Sequence, residues 1–187
     1  MIHYNKKYDL HIEITGYRNT SFTKTEKFLK TDRRKKLHKT EIQFFDADLI
    51  ATEKHLYYAV LNALHAFEAK SNISKSIAME IILYVSAQHH IQRAIDQTGI
   101  KPETKNLAVV IVGKTFDETK AELQALTDFL GVAPDESVLE LTDEKQANIQ
   151  KSFEITDKEI ETVIDRNSGK DISDLVIEHI ALLATQL

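Results

Sequence analysis

The chain predicts a mixed α/β fold of the α+β kind: a small mixed β-sheet flanked by several α-helices, in a single domain. Three observations carry that expectation. Two windows have strand character: Tyr8 to Gly16 alternates apolar and polar residues, and Asn106 to Val112 is an unbroken apolar run ending in Gly113. Two longer windows, residues 51–70 and 71–100, repeat apolar residues at helical spacing instead. Finally, 187 residues at 42% hydrophobic content can close one core, and with two prolines and no internal repeat nothing marks a second domain.

In chain order, Tyr8 to Gly16 predicts a half-buried strand. Lys24 to Lys39 is strongly basic, densest at Arg33-Arg34-Lys35-Lys36, with Phe28, Leu29 and Leu37 as its apolar residues. It fits either a solvated helix end or loop, or an arm whose cations displace counterions from phosphates. Glu41 to Asp46 predicts a second strand, and 51–70 a helix burying Leu56, Val60, Ala63, Leu64 and Phe67. The window Ser71 to Ile100 carries Ile77, Ile81, Tyr84, Ile91 and Ile95 on one helical face, interrupted by Ser86-Ala87-Gln88-His89-His90. Leu107 to Val112 predicts an interior strand. Asp117 to Leu130 predicts an amphipathic helix stopped by Gly131. Ser137 to Leu141 is a short candidate strand, and Thr142, Thr156 and Asp171 each start a helix. The last helix is expected from about Ser173 to Leu187.

Charge and composition narrow the function classes. Residues 1–105 carry a balance of +5 and residues 106–187 a balance of −10, within a net charge of −5. Such asymmetry suits a protein that offers one surface to a polyanion and another to a protein partner. With no cysteine there is no disulfide framework, thiolate chemistry or Cys-ligated metal. No window has the apolar length of a membrane span, and the amino terminus lacks a signal-peptide core, so a cytoplasmic address is expected.

Three catalytic patterns fail on their mechanics. Val112-Gly113-Lys114-Thr115 sits between strand and helix like a P-loop, but the position five before Gly113 is Ala108 and lies in the strand itself, so no glycine-rich cradle exists. Asp46 and Asp48 with His55, His65, His89 and His90 could be assembled into a metal hydrolase, with Asp48 and His55 at its centre. His89 and His90 point in different directions, however, and no Glu completes a zinc-binding pair. Ser74, Ser76 and Ser86 lie near histidines but on no nucleophile elbow. No metal, cofactor or small-molecule substrate is predicted.

The polar block at 86–90 admits two readings. Structurally, it is a break between two helices, with Ser86 capping the second. Functionally, it presents helix N–H groups with His89, His90 and Arg93 to an anionic ligand.

The same stretch resembles a known family. Asn72-Ile73-Ser74-Lys75-Ser76, Glu80, Tyr84, Ser86, Ile91, Ala94-Ile95 and Gly99-Ile100 are similar to the signature of the kinase-binding subunit of the KEOPS complex, also called the PRPK-binding protein family. The similarity extends to Phe44-Phe45-Asp46-Ala47-Asp48-Leu49-Ile50, His55, Asn62-Ala63 and Ala66-Phe67. It returns at Phe153-Glu154-Ile155-Thr156, Val176-Ile177-Glu178 and Ala181-Leu182-Leu183.

The resemblance implies a subunit without catalytic activity of its own. Such a subunit binds the small atypical kinase/ATPase of KEOPS and grips the single-stranded CCA of the tRNA acceptor end. The complex installs threonylcarbamoyladenosine at position 37. The expected RNA-binding residues are Asn72, Ile73, Lys75, Ser86, Ala87, His89, His90 and Arg93: cations, flat side chains and small residues within one or two helical turns. The family pattern Ser-Gly-x-Arg-Gln-Ile reads Ser86-Ala87-Gln88-His89-His90-Ile91 here. An imidazole, with a reference pKa of about 6.5, replaces an always-charged guanidinium, so weaker RNA binding is expected. The carboxyl-terminal helix has apolar residues around much of its circumference, and Ile177, Ile180, Leu182 and Leu183 are the expected kinase-binding set. Two alternatives stand beside this reading: a small metal-dependent hydrolase using Asp48 and His55, and a generic protein-interaction module without RNA.

Overall fold

A computed structural model describes residues 1–35, 40–163, 171–183 and 185. Among them the main elements are β1 (Ile2–Asn5), β2 (Leu10–Tyr17), α1 (Phe22–Lys35), β3 (Glu41–Asp46), α2 (Glu53–Ala69), α3 (Ile77–Val85), α4 (Ile91–Thr98), β4 (Leu107–Gly113), α5 (Phe116–Leu130), α6 (Asp143–Ser152), α7 (Asp157–Val163) and α8 (Ile172–Leu183). Short 3-10 helices occupy Ala47–Leu49 and Glu136–Leu139. The fold class is the mixed α+β one expected. The chain divides into two compact units: Met1–Ala47 with Ile100–Val138, and Asp48–Gly99 with the described residues from Leu139 onward.

In the first unit the strands form one sheet in the order β1-β2-β4-β3. β2 and β3 run in the same direction and are joined through α1, as in a crossover, but β4 is inserted between them. Every ladder is therefore antiparallel rather than mixed, with Ile14 opposite Val110 and Phe44 opposite Val109. One cluster joins Tyr17, Ile42, Phe44, Leu107, Val109 and Ile111 of the strands to Phe28 of α1 and to Leu126 and Leu130 of α5. β2 is more buried than its alternation suggests. Its polar residues Glu13 and Thr15 lie inside, because α5 packs on this strand and Lys120 of α5 sits 2.8 Å from the Glu13 carboxylate.

Local chemistry explains where elements start and stop. Asn5 accepts hydrogen bonds from the Lys7 and Tyr8 N–H groups, and Asp9 takes a left-handed φ of 52°, which closes the β1–β2 hairpin. Thr115 and Glu118 form a reciprocal capping box, so the P-loop-like Gly113-Lys114-Thr115 is a strand end leading into a helix start. Gly131, at φ 71°, ends α5 as expected.

The candidate strand 137–141 is instead mostly a 3-10 helix. Asp135 accepts both the N–H and the hydroxyl of Ser137, and Arg18 pairs with Asp135 at 2.8 Å, which turns the chain before it can extend. The basic run forms α1 as far as Lys35; Lys36 to Lys39 lie outside the described residues.

The second unit is helical. α2 packs on α3 and α8, α3 also on α4, and α7 on α8. Ala51, Ile149, Phe153, Ile155, Ile172, Leu175 and Val176 form its apolar cluster. Thr142 and Thr156 cap α6 and α7 as predicted, and Asp171 accepts from the Ser173 N–H at the start of α8. The final helix is described to Leu183, so Leu187 lies outside the described residues. Among the described residues no helix is long and apolar enough to cross a membrane.

Candidate functional site at the end of helix α3

Ser76 caps α3 through its hydroxyl, which accepts from the Met79 N–H. Ahead of it the loop Asn72–Ser76 is tied down by Glu80, whose fully buried carboxylate accepts the Ile73 N–H at 3.1 Å and the Ser74 N–H at 2.7 Å. The expected ligand residues Asn72, Ile73 and Lys75 lie here, with Ile73 and Lys75 exposed. They are not beside Ser86. The nine residues of α3 separate the two groups by about 13 Å of helix at 1.5 Å per residue, so the single cluster expected over one or two turns is two clusters at opposite helix ends.

At the far end Ser86 closes α3 rather than capping α4. It is buried, and its hydroxyl bonds back to the Ile82 and Leu83 carbonyls at 2.8 and 3.1 Å. It thereby satisfies orphan carbonyls of α3. Ala87 follows with a left-handed φ of 51°, its N–H bonding Tyr84 O and the Gln88 N–H bonding Leu83 O, each at 3.0 Å. That is a Schellman closure at the position where glycine is usual. The glycine of the resembled pattern therefore has a backbone reason, and Ala87 carries strain. Ala87→Gly is expected to raise stability by about 1 kcal/mol in urea unfolding; a loss of stability would show that the Ala87 methyl packs to advantage.

α4 begins at Ile91 after an N-cap, His90, that makes no side-chain cap bond. His90, Ile91, Gln92 and Arg93 are exposed. Ile91, expected on the buried stripe, instead stands in water, because the chain restarts its helix there with a different face inward. Buried Ala94 and Thr98 now mark that face.

A cleft of about 620 Å³ opens beside this turn. Its walls are Ser86, Ala87 and Gln88 after α3, Arg93, Asp96 and Gln97 of α4, Ser152, Phe153 and Glu154 at the end of α6, and His179 of α8. Of the predicted ligand residues, Ser86, Ala87 and Arg93 line it, whereas His89 and His90 do not. Gln88 donates to Gln97 at 3.0 Å, and Gln97 donates to the Ser152 carbonyl at 3.1 Å, so an amide relay ties α4 to the ends of α3 and α6. Glu154, like Ala87, is a non-glycine residue in the left-handed region, at φ 55°. Gln97, Ser152, Glu154 and His179 were not among the predicted site residues. The motif around Phe153-Glu154 was the one signal that pointed toward them.

The hydrolase alternative does not find its base in His55. His55 is fully buried; its Nδ1 accepts the Ala51 N–H at 3.3 Å and its Nε2 donates to Val85 O at 2.8 Å. Both ring nitrogens are thus engaged by backbone. Burial pushes the imidazole down to about 4, opposed by the bond to Val85 and assisted by the charge of Lys145. Lys145, also buried, is itself pushed down to about 8 by desolvation, against the pull of Asp48 and Glu140. Among the described residues no group of three or more His, Asp or Glu side chains is placed to hold a metal.

On α8, Ile180 and Leu183 are buried in the chain's own core, Ile177 is half-buried, and Leu182 is 54% exposed. The proposed partner set therefore narrows to Ile177 and Leu182 at the surface.

Amides, carboxylates, a guanidinium and an imidazole around a cleft of this size can offer hydrogen bonds and charge to a polar ligand. The chain belongs to the family described as Kinase binding protein CGI-121, whose model matches residues 18–184. It is 30% identical over 143 residues to the Regulatory protein Cgi121 of Methanocaldococcus jannaschii, covering 76% of this chain and 83% of that protein. It is also 27% identical over 73 residues to the EKC/KEOPS complex subunit CGI121 of Yarrowia lipolytica, covering 39% of this chain and 43% of the yeast protein.

Proposed function

We propose that this chain is a non-catalytic, single-domain subunit of a cytoplasmic KEOPS complex. It binds the atypical kinase/ATPase of that complex and holds the 3′ CCA end of tRNA, supporting threonylcarbamoyladenosine formation at position 37. The observation that carries the proposal is the family match across residues 18–184, whose description is kinase-binding. The names of the archaeal and yeast relatives, a regulatory protein and a KEOPS subunit, support the same assignment.

For the RNA half of the proposal the supporting geometry is the turn between α3 and α4. The first N–H groups of α4, those of Ile91, Gln92 and Arg93, have no intrahelical acceptor, and His90 supplies no side-chain cap. Together with the Arg93 guanidinium they suit a phosphate. The Gln88 and Gln97 amides in the cleft suit the polar edge of an unstacked base.

The test titrates tRNA with and without its terminal CCA into the protein and into a His89→Ala/Arg93→Ala variant. Loss of the CCA is expected to weaken binding about tenfold or more, and the variant about threefold or more, on the scale of one stacked base and one phosphate contact. Equal binding of both RNAs would overturn the RNA half and leave a protein-interaction module without RNA.

A further inference from the structure

The cleft has an electrostatic character that a general RNA groove lacks. Two carboxylates, Asp96 and Glu154, stand in its wall. Two helices also end there: Ser86 to Gln88 close α3, and Ser152 to Glu154 close α6. Helix carboxyl termini carry partial negative charge on their last carbonyls. A phosphate seated between Asp96 and Glu154, away from Arg93, would meet like charge from both sources, which disfavours it there.

The same groups are good acceptors for neutral donors. The Glu154 carboxylate makes no hydrogen bond among the described residues, and one Asp96 oxygen accepts the Gln92 amide at 2.8 Å while the other remains open to a donor. The Gln88 side chain gives its amide N–H to Gln97, which leaves its own carbonyl oxygen to accept an amino group. The cation Arg93 stands in the wall on α4 and has no partner among the described residues.

Within an RNA, every internal ribose has phosphate on both sides. The 3′-terminal nucleoside alone presents two neutral hydroxyl donors where the next phosphate would be. From this we infer that the cleft selects a 3′-terminal nucleoside by its free 2′,3′-diol. The diol donates to the carboxylates of Glu154 and Asp96, the base meets the Gln88–Gln97 amides, and the single 5′ phosphate reaches Arg93. A 3′-phosphate on the terminal ribose is disfavoured by its charge and by the loss of the donor it replaces. The protein thus distinguishes a free tRNA end from a 3′-phosphorylated one. This inference rests on the proposal that the cleft takes the RNA end.

The experiment measures binding of one tRNA in four forms: CCA with a free diol, CCA with a 3′-phosphate, CCA ending in 3′-deoxyadenosine, and the form lacking CCA. The parent protein and a Glu154→Gln variant are compared. The 3′-phosphate is expected to weaken binding about tenfold or more through repulsion. The 3′-deoxy end is expected to weaken it about fivefold through a lost hydrogen bond to a charged acceptor. In Glu154→Gln the phosphate penalty should shrink by at least about threefold, since the shape persists and one charge is gone. If deletion of CCA weakens binding but the 3′-phosphate and free-diol forms bind alike, the diol inference is overturned while the RNA-end reading survives. If deletion of CCA changes nothing, the RNA-end reading itself has failed.

Discussion

Replacing His55 with alanine is expected to cost about 3 kcal/mol at pH 7.5, among the largest effects of any single substitution here, because it opens a cavity and strands two buried backbone groups. The Ala51 N–H and the Val85 carbonyl meet on this ring, and Phe153 packs edge-on against it with ring centroids 5.7 Å apart. The imidazole thereby ties the start of α2 to the end of α3, the helix that opens the cleft.

The effect carries a pH signature. The folded pKa of His55 is about 4, pushed down by burial from an ordinary value of 6.5, so the unfolded chain takes up a proton that the folded chain refuses. The contribution of the ring is full above pH 6.5 and is lost as pH falls toward 4. The loss is at most about 3 kcal/mol, because each pH unit between the folded and unfolded values is worth about 1.4 kcal/mol. The stability gap between parent and His55→Ala in urea unfolding should therefore close from about 3 kcal/mol at pH 7.5 to below about 1 kcal/mol at pH 4.5. A gap that stays constant would mean that the folded protein accepts the charged ring. Titration of the ring by NMR in the parent gives a second reading if the variant does not fold; a midpoint above pH 6 would refute the assignment.

His55 also shows how much of the molecule its sequence makes legible. A long, strongly periodic segment such as α2, or a continuous apolar run such as β4, declares itself because many residues agree on one geometry. β1 did not, since four residues carry almost no periodicity and their pairing with β2 is a tertiary event. Ser137 to Leu141 is a short, largely apolar stretch that could pass for a strand, but the Asp135 carboxylate captures the Ser137 donors first. The turn after α3 was visible because it is local, although Ser86 proved to close one helix rather than open the next. The rest of the cleft was not visible. Ser152 to Glu154 and His179 come from more than fifty residues downstream, and no spacing rule links them to Gln97, which binds the Ser152 carbonyl.

Leu182→Glu is expected to leave the fold intact and to weaken binding to the cognate kinase by about thirtyfold or more, the scale of an interface hot spot near 2 kcal/mol. The helix α8 places Ile172, Leu175, Val176, Ile180 and Leu183 in the interior of its own unit. Leu182 lies at the edge of that face, seven residues after buried Leu175, at 54% exposure and with exposed Glu178 one turn before it. An isolated exposed leucine is ordinary. What singles this one out is its position: it carries the apolar face of α8 out to the surface, on a helix in a family described as kinase-binding. A charge added at an exposed position changes stability by only about 0.5 kcal/mol, whereas the same charge buried under a partner must be desolvated without a counter-ion. Ile180→Glu provides the contrast, since it puts that charge into the unit's own core and should abolish cooperative unfolding. Size exclusion and calorimetry of each variant mixed with the kinase, alongside circular dichroism, separate the two. A folded Leu182→Glu that binds the kinase with the parent's affinity would remove α8 from the interface and leave the kinase contact to another surface of the chain.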